Sequence, residues 1–133
     1  MSLLLDTDSC IHVLRGRPEA IARLRQHAPG ECHVSSITEF ELFQGAARAP
    51  EERREEERIK VTAFLAQITI LPFDSACARR AALINAALLS AGTPIGILDV
   101  LIGATALEMG WTLITSNAKD FSRIDGLAIE SWR

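Results

Sequence analysis

Tyrosine is absent, and aromatic side chains make up only 5% of the 133 residues, as five Phe and two Trp. So few ring faces argue against a broad platform for stacking successive nucleobases. Cysteine is scarce: Cys10, Cys32 and Cys77 are odd in number, widely spaced and set among apolar neighbours. With no C-x-x-C pair and no Cys/His cluster at zinc spacing, they read as reduced core residues of a cytosolic protein. Long apolar runs are missing. The opening MSLLLDTDSC has only three leucines and no basic flank, so neither a signal peptide nor a membrane span is expected. There is no large excess of one charge: charged residues are 23% of the chain, the net charge is −3 and the pI is near 5.6. No global basic field is available to attract a polyanion, which must instead be met by local basic groups or a metal. His12, His27 and His33 lie too far apart to form a site by proximity in sequence, and surface or half-buried positions are expected for them.

The chain does contain a substantial apolar fraction, 48%, with no internal repeat and no low-complexity tract, which fits one globular domain over residues 1–133. The run Leu3, Leu4, Leu5 reads as a buried central strand whose tip carries Asp6. A short helix over 9–14 and an amphipathic one over 19–27 are expected, separated by the breakers Gly16 and Pro18. After Pro29 and Gly30, residues 32–35 read as a second strand. Ser36 or Thr38 is placed to cap a helix carrying Glu39, Glu41, Leu42 and Gly45. Acids and bases mix over 48–60 at spacings of three and four, the pattern of a solvated helix, whose continuation over 59–66 turns apolar on one face. A third strand is expected over 67–71, closed by Pro72. Asp74 then reads as the N-cap of an alanine-rich helix over 75–90. Breakers at 92–96 precede a helix over 98–109 that contains Asp99 and stops at Gly110. Strands over 112–115 and 128–131 flank a loop at 116–121. Alternating helices and short apolar strands imply an α/β fold with a mostly parallel sheet covered by helices on both faces.

In such a sheet, ligands collect at the carboxyl ends of the strands, so acids from distant segments can converge there. Asp6 follows a strand, Glu41 and Asp99 lie early in separate helices, and Asn117 with Asp120 follows a later strand. Like charges brought close need a cation or a shared proton, and an all-oxygen set suits a hard divalent cation. Local alternatives stand beside that reading. Asp6 can cap the following helix, although Asp8 is the better capping candidate and can also reach a cation through water. Glu39 competes with Glu41 from roughly the opposite side of its helix. Asp99 has almost wholly apolar neighbours, where an unpaired carboxylate is costly to bury. Thr115 and Ser116 can hold an acid or a phosphate oxygen, or make ordinary turn bonds. Arg15, Arg17, Lys119 and Arg123 are either phosphate contacts or plain surface charge.

Four segments, LLLDTDSCI, SSITEFELFQGA, PIGILDVLIGATALEMG and TLITSNAKDFSRIDGLAIESW, occur in this order along nearly the whole chain. They resemble the motifs of the PIN-domain family and, within it, the VapC-like toxin ribonucleases of bacterial toxin–antitoxin pairs. The resemblance implies a three-layer α/β/α domain with a roughly five-stranded, mostly parallel sheet. It selects Glu41 over Glu39 through the E-L-F-Q-G match and makes Asp6, Glu41 and Asp99 the acids of a Mg²⁺ or Mn²⁺ site for hydrolysing RNA. Many PIN domains carry Asp at the fourth position. Here the matching residue is Asn117, which adds no charge, and Asp120 either supplies the missing acid, directly or through water, or serves as a turn cap; the number of bound ions stays open. Also implied are a VapB-like antitoxin partner, which inserts a basic residue among the acids, and a homodimer or toxin–antitoxin hetero-oligomer. The groove beside Phe40, Phe43 and the charged helix is a landing site for that partner, or the two Phe side chains are core. A receiver-like phosphorylation switch, the main rival enzyme class, leaves Glu41 and Asp99 unexplained. A noncatalytic binding module leaves all the acids unexplained.

Overall fold

The three leucines that open the chain point alternately to opposite sides of a sheet. Leu3 and Leu5 enter one apolar cluster with Val34, Leu42, Val61, Leu65 and Ile114, while Leu4 enters another with Val100, Ile102, Leu113 and Phe121. This two-residue alternation gives each face of the sheet its own core. The computed structural model describes residues 1–132. In chain order the elements are β1 (Leu3–Leu5), α1 (Thr7–Leu14), α2 (Pro18–Arg25), β2 (Cys32–Ser35), α3 (Ser36–Ala47), a 3₁₀ turn (Glu51–Arg53), α4 (Arg54–Leu65), β3 (Thr69–Leu71), α5 (Ser75–Ala91), α6 (Ile97–Met109), β4 (Thr112–Ile114), α7 (Ala118–Phe121) and β5 (Ile129–Glu130).

The strands form one sheet in the order β3-β2-β1-β4-β5. Every pairing is parallel, with Leu4 opposite His33 on one side and Leu113 on the other. The expected α/β/α arrangement is therefore present, with all five strands parallel. Because the chain reverses its winding direction from β1, whose neighbours are β2 and β4, the carboxyl ends of these three strands flank a common crevice.

Several boundaries differ from those read in the sequence, each for a local reason. The first helix starts at Thr7, because Asp6 caps it: the Asp6 carboxylate accepts from the Ser9 amide at 2.8 Å. Asp8, the expected cap, lies inside the first turn and is exposed. The glutamate-bearing helix α3 is capped by Ser35, not by Ser36 or Thr38; the Ser35 hydroxyl accepts from the Ile37 amide at 3.0 Å. Ser36 instead accepts from the Phe73 amide and so ties α3 to the segment after β3. The charged helix does not begin at Arg48, because Pro50 separates α3 from the 3₁₀ turn and α4. Residues 116–121, expected as loop, contain the single turn α7. The ends of α2, β3, β4 and β5 are shorter than expected by one or two residues, within ordinary boundary variation.

Asp74 does cap α5, accepting from the Cys77 amide, and α5 and α6 end on Gly92 and Gly110 at φ 72° and 70°, where a side chain would be strained. Cys10, Cys32 and Cys77 are free and buried. His33 is more buried than expected, at 8% exposure, since β2 is covered on both faces; it stacks on Trp111 with ring centroids 4.1 Å apart. No helix among the described residues is long and apolar enough to cross a membrane.

Candidate active site

Asp6 sits where β1 gives way to α1, and its amide still donates to the Ile114 carbonyl of β4 at 3.0 Å. The side chain is 3% exposed. Burial raises its pKa, opposed by hydrogen bonds from the Thr115 hydroxyl and from Ser9. Thr115, fully buried just beyond β4, is thus one of the hydroxyls the sequence offered for holding an acid, and it does so. Its oxygen also accepts from the Asn117 amide at 2.9 Å, shaping the turn into α7. Ser9 makes a second link to β4, its hydroxyl donating to the Ile114 carbonyl at 3.1 Å.

Glu41 lies within α3, half-buried. Its Oε1 accepts from the Thr7 hydroxyl at 2.6 Å, and Thr7 Oγ1 stands 3.1 Å from Thr38 Oγ1. Asp99 occupies the first turn of α6, where the free amides of a helix start favour negative charge. Even so, its pKa is raised to about 6, first by burial and then by the charges of Glu41, Asp6, Asp8 and Asp120. Glu41, Asp6, Asp8 and Asp120 are thus near enough to Asp99 for their charges to act on it. Asp120 is oriented by Asn117, whose side-chain amide donates to it at 3.1 Å, and its other oxygen lies 3.9 Å from Arg123. Asn117 therefore acts on Asp120, and both face the same crevice as Asp99.

The donor set fits a hard cation. It is made of carboxylate oxygens from four separate elements, and among the described residues Asp6, Glu41 and Asp99 pair with no Lys or Arg. No three Asp, Glu, His or Cys among the described residues are gathered into a ready-made cage.

Of the basic residues, Lys119 and Arg123 flank the acids on and just after α7, with Arg123 also donating to the Pro94 carbonyl at 3.0 Å. Arg15 and Arg17 lie beyond the far end of α1 from Asp6, a separation of about 12 Å for an eight-residue helix. A cavity of about 600 Å³ lies elsewhere: Val13, Ile21, Leu24, Phe64 and Ile68 line it, with Arg25 and His27, near the amino ends of β2 and β3. No Asp or Glu lines it, so charge, not concavity, marks the site. Three side chains at the acids, Thr7, Ser9 and Thr38, were not singled out as site residues in the sequence. Thr7 adjoins Asp6 in the D-T-D-S segment and Thr38 precedes Glu41 by one helical turn, the only local signals they carry.

Residues 3–127 match the family described as PIN domain. A "tRNA(fMet)-specific endonuclease VapC" of Salmonella typhimurium is 33% identical over 134 residues, covering 99% of this chain and 98% of the relative. "Ribonuclease VapC2" of Haemophilus influenzae is 35% identical over 133 residues with the same coverage. Among solved structures, VapBC2 from Rickettsia felis bound to a promoter DNA fragment contains a chain of 28% identity and TM-score 0.93, each chain covered in full. DNA-bound VapBC from Salmonella typhimurium reaches the same TM-score at 32% identity, over 100% of this chain and 99% of that one. With the acids gathered at the strand tips and the match running nearly end to end, this chain belongs to the PIN-domain family, in its VapC group.

Proposed function

We propose that this chain is a metal-dependent endoribonuclease, the toxin of a toxin–antitoxin pair, acting as one domain over residues 1–133. The observation that carries the reading is the gathering of Asp6, Glu41 and Asp99 from separate elements, none of them paired with a Lys or Arg among the described residues, with the pKa of the Asp99 carboxyl raised to about 6 by burial and by the charges of Glu41, Asp6, Asp8 and Asp120. The names of the VapC relatives, an endonuclease and ribonucleases, support the same reaction class.

Asp6, Glu41 and Asp99 would hold the ion, Mg²⁺ or Mn²⁺. Bound there, a divalent cation supplies a lower pKa for an attacking water and compensation of the charge that builds on the phosphate and the leaving sugar oxygen. Asp99 must shed its proton to serve as an oxygen ligand. Thr115 and the Ser9 amide hold the Asp6 carboxylate in place, and Asn117 does the same for Asp120, which completes the acidic edge. Lys119 and Arg123, on and just after α7 beside the acids, would contact RNA phosphates.

A VapB-like antitoxin is the natural partner, supported by the VapBC complexes to which the fold is similar. A groove of about 520 Å³ between α1, α3 and α4, walled by Ile11, Leu14, Leu42 and Val61 and rimmed by Arg15, Glu57 and Lys60, suits an amphipathic segment. It borders the charged helix as expected but is not lined by the two Phe residues: Phe40 is 53% exposed, and Phe43 packs against the core. Exposed Phe40, Leu83, Leu89 and Ile97 supply apolar surface for a second copy.

The test is cleavage of total RNA by the partner-free protein with Mg²⁺ or Mn²⁺, beside EDTA and Asp99→Asn. Discrete fragments that vanish in both controls are expected, with a loss for the variant of about 2–4 kcal/mol in transition-state stabilisation. Cleavage that survives either control overturns the reading.

A further inference from the structure

Glu41 has no backbone donor or basic side chain holding it among the described residues; the bond it makes is to Thr7, on another helix. The 2.6 Å separation between Thr7 Oγ1 and Glu41 Oε1 is that of a charge-assisted O–H···O⁻ bond. One hydroxyl carries one proton. With that proton on Glu41, the 3.1 Å contact between the two threonines is made by the Thr38 hydroxyl donating to Thr7. Thr38 is fully buried and sits three residues before Glu41 on the same face of α3. The pattern is a short relay, Thr38 to Thr7 to Glu41, that leaves α3, touches the first turn of α1 and returns to α3. Thr7 is covalently next to Asp6, so the same residue that borders one acid orients another, although 34 residues separate Thr7 from Glu41.

We infer that Thr7, backed by Thr38, is a positioning residue that aims Glu41 at the shared cation site, using one carboxylate oxygen as the anchor and leaving Oε2 for the ion. This rests on the metal-site reading above. Partners of this kind, which touch a ligand and not the metal, change metal affinity by about 10–100-fold when removed. Thr7 is half-buried and its neighbours on α1 are already fixed by the Asp6 cap, so losing one hydroxyl leaves the helix start intact.

The experiment is a Mn²⁺ titration of the partner-free protein, read by the paramagnetic resonance signal of free Mn²⁺, with no RNA present. Native protein is compared with Thr7→Val, which keeps the branched shape and removes the hydroxyl, with Thr7→Ser, which keeps the hydroxyl, and with Glu41→Gln alone and combined with Thr7→Val. Expected are a loss of affinity of about 10-fold or more for Thr7→Val, recovery to near native for Thr7→Ser, and no further loss when Thr7→Val is added to Glu41→Gln. Native-like affinity in Thr7→Val, or a full additional loss in the Glu41→Gln background, overturns the inference while leaving the metal site standing. Native protein that binds no Mn²⁺ overturns both. If Thr7→Val does not fold, Thr38→Val is titrated instead: a measurable weakening supports the relay, and unchanged affinity overturns it.

Discussion

Asp99 is the residue on which burial and like-charge repulsion act together, and its proton affinity has consequences outside catalysis. Its pKa rises from 3.8 to about 6 in the folded protein, so between those values the folded state binds a proton that the unfolded chain has released. Stability from this group is therefore greatest at low pH and falls as pH rises through about 6. Asp6, also raised, acts in the same direction, whereas the N-cap Asp74, held below its ordinary value by the Cys77 amide, acts oppositely. Comparing native protein with Asp99→Asn isolates the site. Without divalent cation, the thermal midpoint of the variant should exceed that of the native protein, by a margin that widens from pH 5 to pH 7. Adding Mg²⁺ should raise the native midpoint more than the variant's. A margin that shrinks with rising pH would contradict the repulsion inferred at Asp99.

Among the elements, α6 must deliver Asp99 to the crevice, and its position is set by how closely it can approach the turn after β4. Gly103, one helical turn past Asp99, is buried, and a Cβ placed there would lie 2.6 Å from Ile124 Cδ1 and 3.6 Å from the Phe121 ring. The missing side chain leaves room for the Ile124 Cδ1 methyl against α6, while Arg123 bridges the end of α7 to Pro94 in the loop before α6. Gly103→Val should therefore overpack this contact at a cost of about 1–3 kcal/mol, occasionally more, measured by urea unfolding. Adding Ile124→Val, which removes the clashing methyl, should recover part of the loss. If Gly103→Val unfolds at the native urea concentration, close approach at this point is not what positions α6.

For the whole molecule, a net charge of −3 and a crevice lined with acids mean that RNA is repelled until a cation is bound. With Arg15 and Arg17 beyond the far end of α1, few basic groups remain beside the acids. RNA binding in EDTA should thus be weak and should improve in Asp99→Asn, which removes one repelling charge. The slope of log affinity against log salt should be shallower than about −3, the signature of only a few neutralised phosphates. Fluorescence anisotropy across a salt series reads both, and a steep slope would reveal a basic surface beyond the groups named here.

Much of this architecture was legible because it is encoded in short windows. Three successive leucines ending in an acid mark a central strand with Asp6 at its tip, Asp74 announces the start of α5, and Gly92 and Gly110 mark helix ends, since each depends on neighbours within a few residues. The acids Asp6, Glu41 and Asp99 could be named from their motifs. Harder to read was which side chain serves which neighbour: Asp6 rather than Asp8 caps α1, and Ser35 rather than Ser36 or Thr38 caps α3, because backbone geometry at a strand end decides which oxygen reaches the free amides. Chain order also leaves the strand order β3-β2-β1-β4-β5 unspecified in its details. The sequence by itself determined most of the elements, their parallel class and which acids are candidates for the site, all properties of local spacing and residue type. Only the tertiary structure decided that Ser9 meets the Ile114 carbonyl across 105 residues, that Thr7 holds Glu41, and that five acids share one crevice. Those contacts exist only once both cores have closed around the sheet, and no local pattern encodes the distance between groups so far apart in the chain.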